Sequence, residues 1–133
     1  MATPIGNLDD LSPRARHILS SADRVLAEDT RVARRLLQSF GATATLDIYN
    51  DHNGAKVRPA LLEALSGGAA IALTSDAGTP LISDPGYKLV DEARAAGIAV
   101  HAVPGPSAVI TALSVAGLPS DRFLFGGFLP PKS

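Results

Sequence analysis

The sequence contains no cysteine and no tryptophan. Disulfide scaffolds, thiol nucleophiles, iron–sulfur clusters and cysteine-ligated zinc are thereby excluded, and the chain is compatible with a reducing compartment, the cytoplasm being the expected location. Aromatic residues make up only 5%, too few for a single-strand nucleic-acid platform of stacked rings. An excess of positive charge is missing as well. Twelve Lys and Arg stand against thirteen Asp and Glu, so any contact with RNA is expected to be local rather than driven by a global field. Long hydrophobic runs are lacking: the most apolar stretch, Ala108–Leu118, is interrupted by Thr111 and Ser114 and falls short of the ~20 residues that cross a membrane. The N-terminus shows neither the basic lead nor the apolar block of a signal peptide, so none is expected.

What is present suits one compact domain. The 133 residues are 46% hydrophobic and 19% charged, enough to bury a core without a covalent or metal staple. Ser12 caps a helix to about Ala22, with Pro13 in the first turn, where a missing N–H costs nothing. Arg24–Glu28 reads as a strand, and Asp29 or Thr30 caps a helix through Phe40 that Gly41 stops. Thr45–Tyr49 follows as a strand, and Ala55–Leu65 as a helix that Pro59 weakens and Gly67-Gly68 ends. Ala69–Thr74 is uniformly apolar, as strands covered on both faces are, and is expected at the centre of the sheet.

Asp84-Pro85 opens the next helix by the same cap-and-proline device, closed by Gly97. Ile98–Val103 is read as a strand, Pro106–Ala116 as a helix apolar nearly all round, and Phe123–Gly127 as a last strand before a linker, Leu129–Ser133. The all-apolar helix needs cover on more than one side, and another subunit is one candidate. Strand and helix alternation predicts an α/β fold with a doubly wound parallel sheet.

Ligands of such sheets bind at the carboxyl ends of the strands. Five loops qualify: Thr3–Asn7, Glu28–Arg31, Tyr49–Asn53, Ser75–Gly86 and Pro104–Ser107. They are expected to share one rim. The Ser75–Gly86 loop is the richest, because its prolines restrain Thr79 and Asp84 while Gly78 permits positive φ, so that the loop holds one shape for a small polar ligand. Gly105-Pro106-Ser107 opens the apolar helix with free N–H groups. Arg31, Arg34 and Arg35 share a helix face that suits phosphates or simply solvent, with Arg31 nearest the rim. The dinucleotide, nucleoside-triphosphatase and nucleophile-elbow fingerprints are absent from the sequence. His17, His52 and His101 lack ligand spacing, so no metal site is expected.

Taken together, Ala2–Leu8, Ala27–Arg31, Ser75–Gly86 and Val103–Ser107 resemble the tetrapyrrole methylase family of S-adenosylmethionine-dependent enzymes, and within it the members that modify small-subunit ribosomal RNA. The resemblance covers essentially the whole chain. It implies methyl transfer from S-adenosylmethionine to a cytidine ribose 2'-hydroxyl in 16S rRNA, by a homodimer of two-domain subunits with the cofactor between the domains. Residues 1–133 would form the N-terminal, cofactor-binding half. By the same resemblance Pro4, Ile5, Gly6, Asp76, Ala77, Gly78, Ile82, Ser83, Ser107 and Ala108 border the cofactor. Asp29, Arg31 and His52 are catalytic candidates by rim position.

Family members also carry an apolar strand directly before the Thr3–Leu8 motif, where this chain offers Met1 and Ala2. A missing first strand is therefore expected, through a fragment or a late start, unless neighbouring strands close the gap; the second domain is expected to be absent too. Two other readings stand beside this one: a methylase of tetrapyrroles or other small acceptors, and a non-catalytic nucleotide-binding or dimerisation module.

Overall fold

The computed structural model describes residues 1–129 and shows an α/β domain built on three parallel strands. The strands are β1 (Arg24–Ala27), β2 (Leu46–Ile48) and β3 (Ile71–Leu73), in the order β2-β1-β3. Register pairs Val25 with Leu46 on one side and with Ala72 on the other. Helices α1 (Pro13–Ser21), α2 (Thr30–Ser39), α3 (Gly54–Ser66), α4 (Tyr87–Ala95) and α5 (Ala108–Val115) complete the described elements, together with a single 3₁₀ turn at Leu8–Asp10.

The alternation of β1 builds two cores. Val25 packs with Ala15 and Leu19 of α1 and with Leu36 and Leu37 of α2, whereas Leu26 packs on the opposite face with Tyr49, Leu61 of α3 and Leu89 of α4. Helices therefore cover both faces, as double winding requires. Leu19, Val25 and Leu26 are fully buried, each worth roughly 1.5–3 kcal/mol of transfer free energy.

Local chemistry sets the helix starts. The Ser12 hydroxyl accepts from the Ala15 N–H at 3.1 Å, and an Asp29 carboxylate oxygen from the Arg31 N–H at 2.8 Å. Asp84, by contrast, caps nothing: α4 begins at Tyr87, and the cap position is Gly86, at φ 126° with no side-chain hydrogen bond. A Cβ on Gly86 would meet Leu73 Cδ2 at 2.6 Å, so glycine is needed both for conformation and for room.

Three strand expectations are corrected. Within the described sheet β1, not the Ala69–Thr74 run, is central, and β3 lies at the edge. Apolar composition reports coverage of faces, whereas centrality depends on backbone pairing, which composition does not encode. Ile98–Val103 forms no strand; Val103 alone is buried, and its carbonyl accepts from the Ala2 N–H at 3.1 Å. Phe123–Gly127 is not a strand either, with Leu124 93% exposed. Both segments have strand-like composition but no edge beside them among the described residues. Helix α5 buries none of its residues among those described. The linker expected at Leu129–Ser133 falls, apart from Leu129, outside the described residues.

The N-terminus stands where a sheet neighbour would. The Met1 ammonium donates to the Leu73 carbonyl at 2.7 Å, the Thr3 hydroxyl to the Ser75 carbonyl at 3.1 Å, and the Thr3 and Gly78 main chains pair as an isolated bridge. Met1–Thr3 thus runs alongside the end of β3 while touching Val103 on its other flank. Burial holds the Met1 amine below its ordinary pKa.

Candidate functional site

The carboxyl ends of β1, β2 and β3 open onto loops that the structure ties to one another. Thr3 N–H donates to Gly78 O at 2.9 Å, the Thr79 hydroxyl to Pro106 O at 3.1 Å, and Asp29 N–H to an Asp76 carboxylate oxygen at 3.1 Å. Four of the five expected rim loops are linked by these bonds. The fifth, through Asn50, shares a hollow with Glu28, Asp29 and Asp76. Gly78 sits at φ 83°, and a Cβ there would reach Ile5 Cγ2 at 3.4 Å and Pro106 O at 3.7 Å, so the Ile5, Gly78 and Pro106 segments converge.

Two hollows flank Asp76. The larger, about 610 Å³, is polar and lined by Glu28–Arg31, Ile48, Asn50 and Asp76. The other, about 350 Å³, runs between α1, α2 and the Thr3–Leu8 segment, over a floor of Leu19, Val25 and Thr74. Pro4 and Gly6 line the second hollow with Asp76. Ile82 and Ser83 lie exposed on the long loop, and Ser83 together with Leu81 holds positive φ, 61° and 72°. Such backbone is costly for residues with a side chain and is typical of segments shaped for a ligand. The Ser107 hydroxyl accepts from Ile110 N–H at 3.5 Å, capping α5, and exposed Ala108 begins that helix.

The polar hollow is acidic. Burial first, then the charges of Asp76, Asp84 and Asp51, push the Glu28 carboxyl above its ordinary pKa. Burial and Asp76 do the same to Asp84. Asp29 differs, because its carboxylate grips Arg31 through both oxygens, Arg31 Nη2 lying 2.6 Å from Oδ2 and Nε 3.0 Å from Oδ1. Those bonds bring its pKa down to about 2, so Asp29 is a poor proton acceptor at neutral pH. His52 stands on an exposed turn whose backbone N–H donates to the Asn50 side chain at 3.0 Å. No hydrogen bond of the described residues ties its imidazole to Asp29 or Arg31.

Among the described residues no group of three or more acidic or histidine side chains is placed to hold a metal ion. No described helix is long and apolar enough to cross a membrane. The acidic set is suited instead to an organic cation, which carboxylates hold by charge without converging on a single point. Sequence reading did not single out Glu28 or Asp84 for the site; the strand-end rule already put Glu28 at the last position of its strand, while only the fold brings Asp84 beside Asp76.

Comparison with known proteins agrees in direction. The profile of the family described as Tetrapyrrole (Corrin/Porphyrin) Methylases matches residues 2–129. A protein of Xylella fastidiosa named Ribosomal RNA small subunit methyltransferase I is 58% identical over 132 residues, covering 99% of this chain and 48% of that protein. Proteins of the same name from Escherichia coli O157:H7 and Pseudomonas aeruginosa are 57% and 56% identical, over 98% and 100% of this chain and 46% and 47% of their own lengths. The chain spans about half the length of these curated relatives.

Proposed function

Because the chain belongs to the tetrapyrrole methylase family, we propose that it forms the N-terminal, donor-binding half of an S-adenosylmethionine-dependent methyltransferase acting on a cytidine ribose 2'-hydroxyl of small-subunit ribosomal RNA. The observation that carries the donor assignment is the acidic rim of Glu28, Asp76 and Asp84 at the strand ends. The names of the relatives support RNA as acceptor.

S-adenosylmethionine, when bound, supplies an activated methyl group on a positively charged sulfur. Pro4, Ile5, Gly6, Asp76, Ala77, Gly78, Ile82 and Ser83 would line the donor, with Ser107 and Ala108 bordering the same cleft. The backbone bonds between Thr3 and Gly78, and the bond from the Thr79 hydroxyl to Pro106 O, fix three of these segments before any ligand arrives. Such preorganisation aligns an acceptor oxygen with a methyl carbon at small entropic cost. Asp76 and Glu28 would face the positively charged sulfur. Asp29 would serve by holding Arg31 and the start of α2, leaving His52 to take the hydroxyl proton. Homodimeric assembly and a cytoplasmic setting complete the proposal.

A pH series tests the donor site. Carboxylates whose pKa is raised by burial and by neighbouring carboxylates lose their charge readily, and a cation favours the ionised form, so affinity for S-adenosylmethionine rises with pH through the carboxylate range and levels off near neutrality. S-adenosylhomocysteine, whose sulfur is uncharged, shows a flatter curve. Calorimetry at pH 4.5, 5.5 and 7 reads both; identical curves for the two ligands, or no binding by the folded chain, would overturn the assignment. Without ligand the sign reverses. Raised folded-state pKa values of Glu28 and Asp84 mean that their ionisation on going toward neutral pH opposes folding, whereas Asp29, lowered to about 2, adds stability that is complete above its unfolded value and is lost only as pH falls toward 2.

A further inference from the structure

A rim of carboxylates repels the phosphates of an RNA acceptor, so the charge that attracts such a substrate has to lie outside the rim. The two helices on the Val25 face of the sheet carry it. Helices α1 and α2 hold five arginines, Arg14, Arg16, Arg31, Arg34 and Arg35, and none of the chain's thirteen Asp and Glu. Helices α3 and α4, on the opposite face, instead mix four basic residues with three acidic ones, and Arg58 is spent on Glu92 at 2.7 Å. Both basic helices turn their apolar residues, Ala15 and Leu19 from α1, Leu36 and Leu37 from α2, into one core. The Arg16 guanidinium lies 5.9 Å from the centroid of the Phe40 ring, just past the end of α2. Arg31 is held by Asp29. The other four arginines make no ion pair among the described residues, and Arg14, Arg34 and Arg35 are exposed.

The chemistry of this layer selects its partner. All five cations are arginines, whose planar forks match phosphate oxygens two at a time. No large apolar side chain of α1 or α2 is exposed, so the two helices offer neither the anchors of a protein interface nor a face that sinks into a lipid surface. Helix α2 also starts at the rim: Thr30 and Arg31 line the polar hollow, and Arg34 and Arg35 follow one turn, about 5–6 Å, along the axis. We propose that α1 and α2 form a phosphate track for the RNA substrate, with Arg14, Arg16, Arg34 and Arg35 gripping backbone phosphates and reading no bases. The proposal rests on the reading of RNA as the acceptor and names the surface on which it docks. Contacts of this kind fix the path of a strand and carry no sequence information.

Fluorescence anisotropy of the 133-residue chain with a labelled single-stranded RNA of about 20 nucleotides, over roughly 20 to 100 mM KCl, tests this. Four phosphate contacts give log K against log salt a slope of about −3. Arg34→Gln is expected to weaken binding about tenfold at about 30 mM salt and to flatten the slope by about 0.7, and Arg14→Gln combined with it to flatten the slope by about 1.4. Arg94→Gln, the same charge change on exposed α4 surface, should alter neither. Two RNAs of unrelated sequence should bind within about threefold of each other. The Arg34→Gln variant should melt and bind S-adenosylmethionine as the parent does. Equal losses for Arg34→Gln and Arg94→Gln, a preference of more than about tenfold between the unrelated RNAs, or tighter binding to vesicles of phosphatidylcholine and phosphatidylserine than to RNA would each overturn the track. RNA bound with its slope intact in both α1 and α2 variants removes the track alone. No RNA bound by the folded chain at about 20 mM salt removes the track together with RNA as the acceptor, while S-adenosylmethionine titrated in parallel reports on the donor site independently.

Discussion

Gly86→Ala is expected to destabilise the chain by about 2–6 kcal/mol, the sum of two separate costs. Backbone at φ 126° and ψ −17° is open to glycine and strained for any side chain, at roughly 1–3 kcal/mol. The added methyl also stands 2.6 Å from Leu73 Cδ2 and 3.3 Å from Leu81 Cδ1, an overlap that the packed junction of β3 and α4 relieves only by moving, at about 1–3 kcal/mol more. Urea denaturation followed by circular dichroism reads the effect as a midpoint lowered by about 1–3 M, given slopes of roughly 1–3 kcal/mol/M. Adding Leu73→Ala separates the costs, because it removes the overlap and leaves the backbone strain. A midpoint for Gly86→Ala within error of the parent would show that the turn into α4 is not held as described.

Lengthening the chain ahead of Met1 by five β-branched residues is expected to raise stability by about 3 kcal/mol. Met1–Thr3 already runs beside β3 and touches Val103, while among the described residues β3 has no strand on its outer side and residues 98–102 belong to no ladder. A strand fed into that space gains hydrogen bonds on both flanks, at about 1 kcal/mol each, and buries apolar side chains at roughly 1.5–3 kcal/mol each. Against this stands ordering of the added residues, at roughly 1.5–2 kcal/mol each. The extension also replaces the Met1 ammonium, which burial disfavours in its charged form, by a neutral amide. Thermal unfolding should show a midpoint higher by roughly 10 °C. A central proline in the extension should abolish most of the gain, since it cannot donate to a ladder; equal gains with and without it would refute strand insertion.

Those two positions also show what sequence reading reaches. The Ser12 and Asp29 caps and the stops at Gly41 and Gly97 were legible because each depends on its own few neighbours. So was the rim, since strand ends follow from strand order. The fate of Ile98–Val103 was not legible: a strand exists only where another edge meets it, and composition is silent about edges. Asp84-Pro85 has the chemistry of a helix start, yet the helix waits for Gly86 because the chain must first turn under Leu73. At the site, the catalytic candidates Asp29 and Arg31 line the polar hollow. Their mutual neutralisation depends on rotamers, and the acidity of the hollow on Asp84 approaching from more than fifty residues further along the chain than Glu28, neither of which spacing reveals.

The left-handed backbone at Leu81 and Ser83 sets stability and affinity against each other. Ser83→Gly relaxes a conformation that serine tolerates poorly, at the cost of a floppier unfolded chain, so the folded state changes by no more than about 1 kcal/mol in either direction. The loop tip, however, becomes free to wander, and a donor must then tame it at every encounter. The variant should release S-adenosylmethionine faster while melting near the parent temperature: the loop behaves as a spring held cocked, whose tension shows only when something is placed against it.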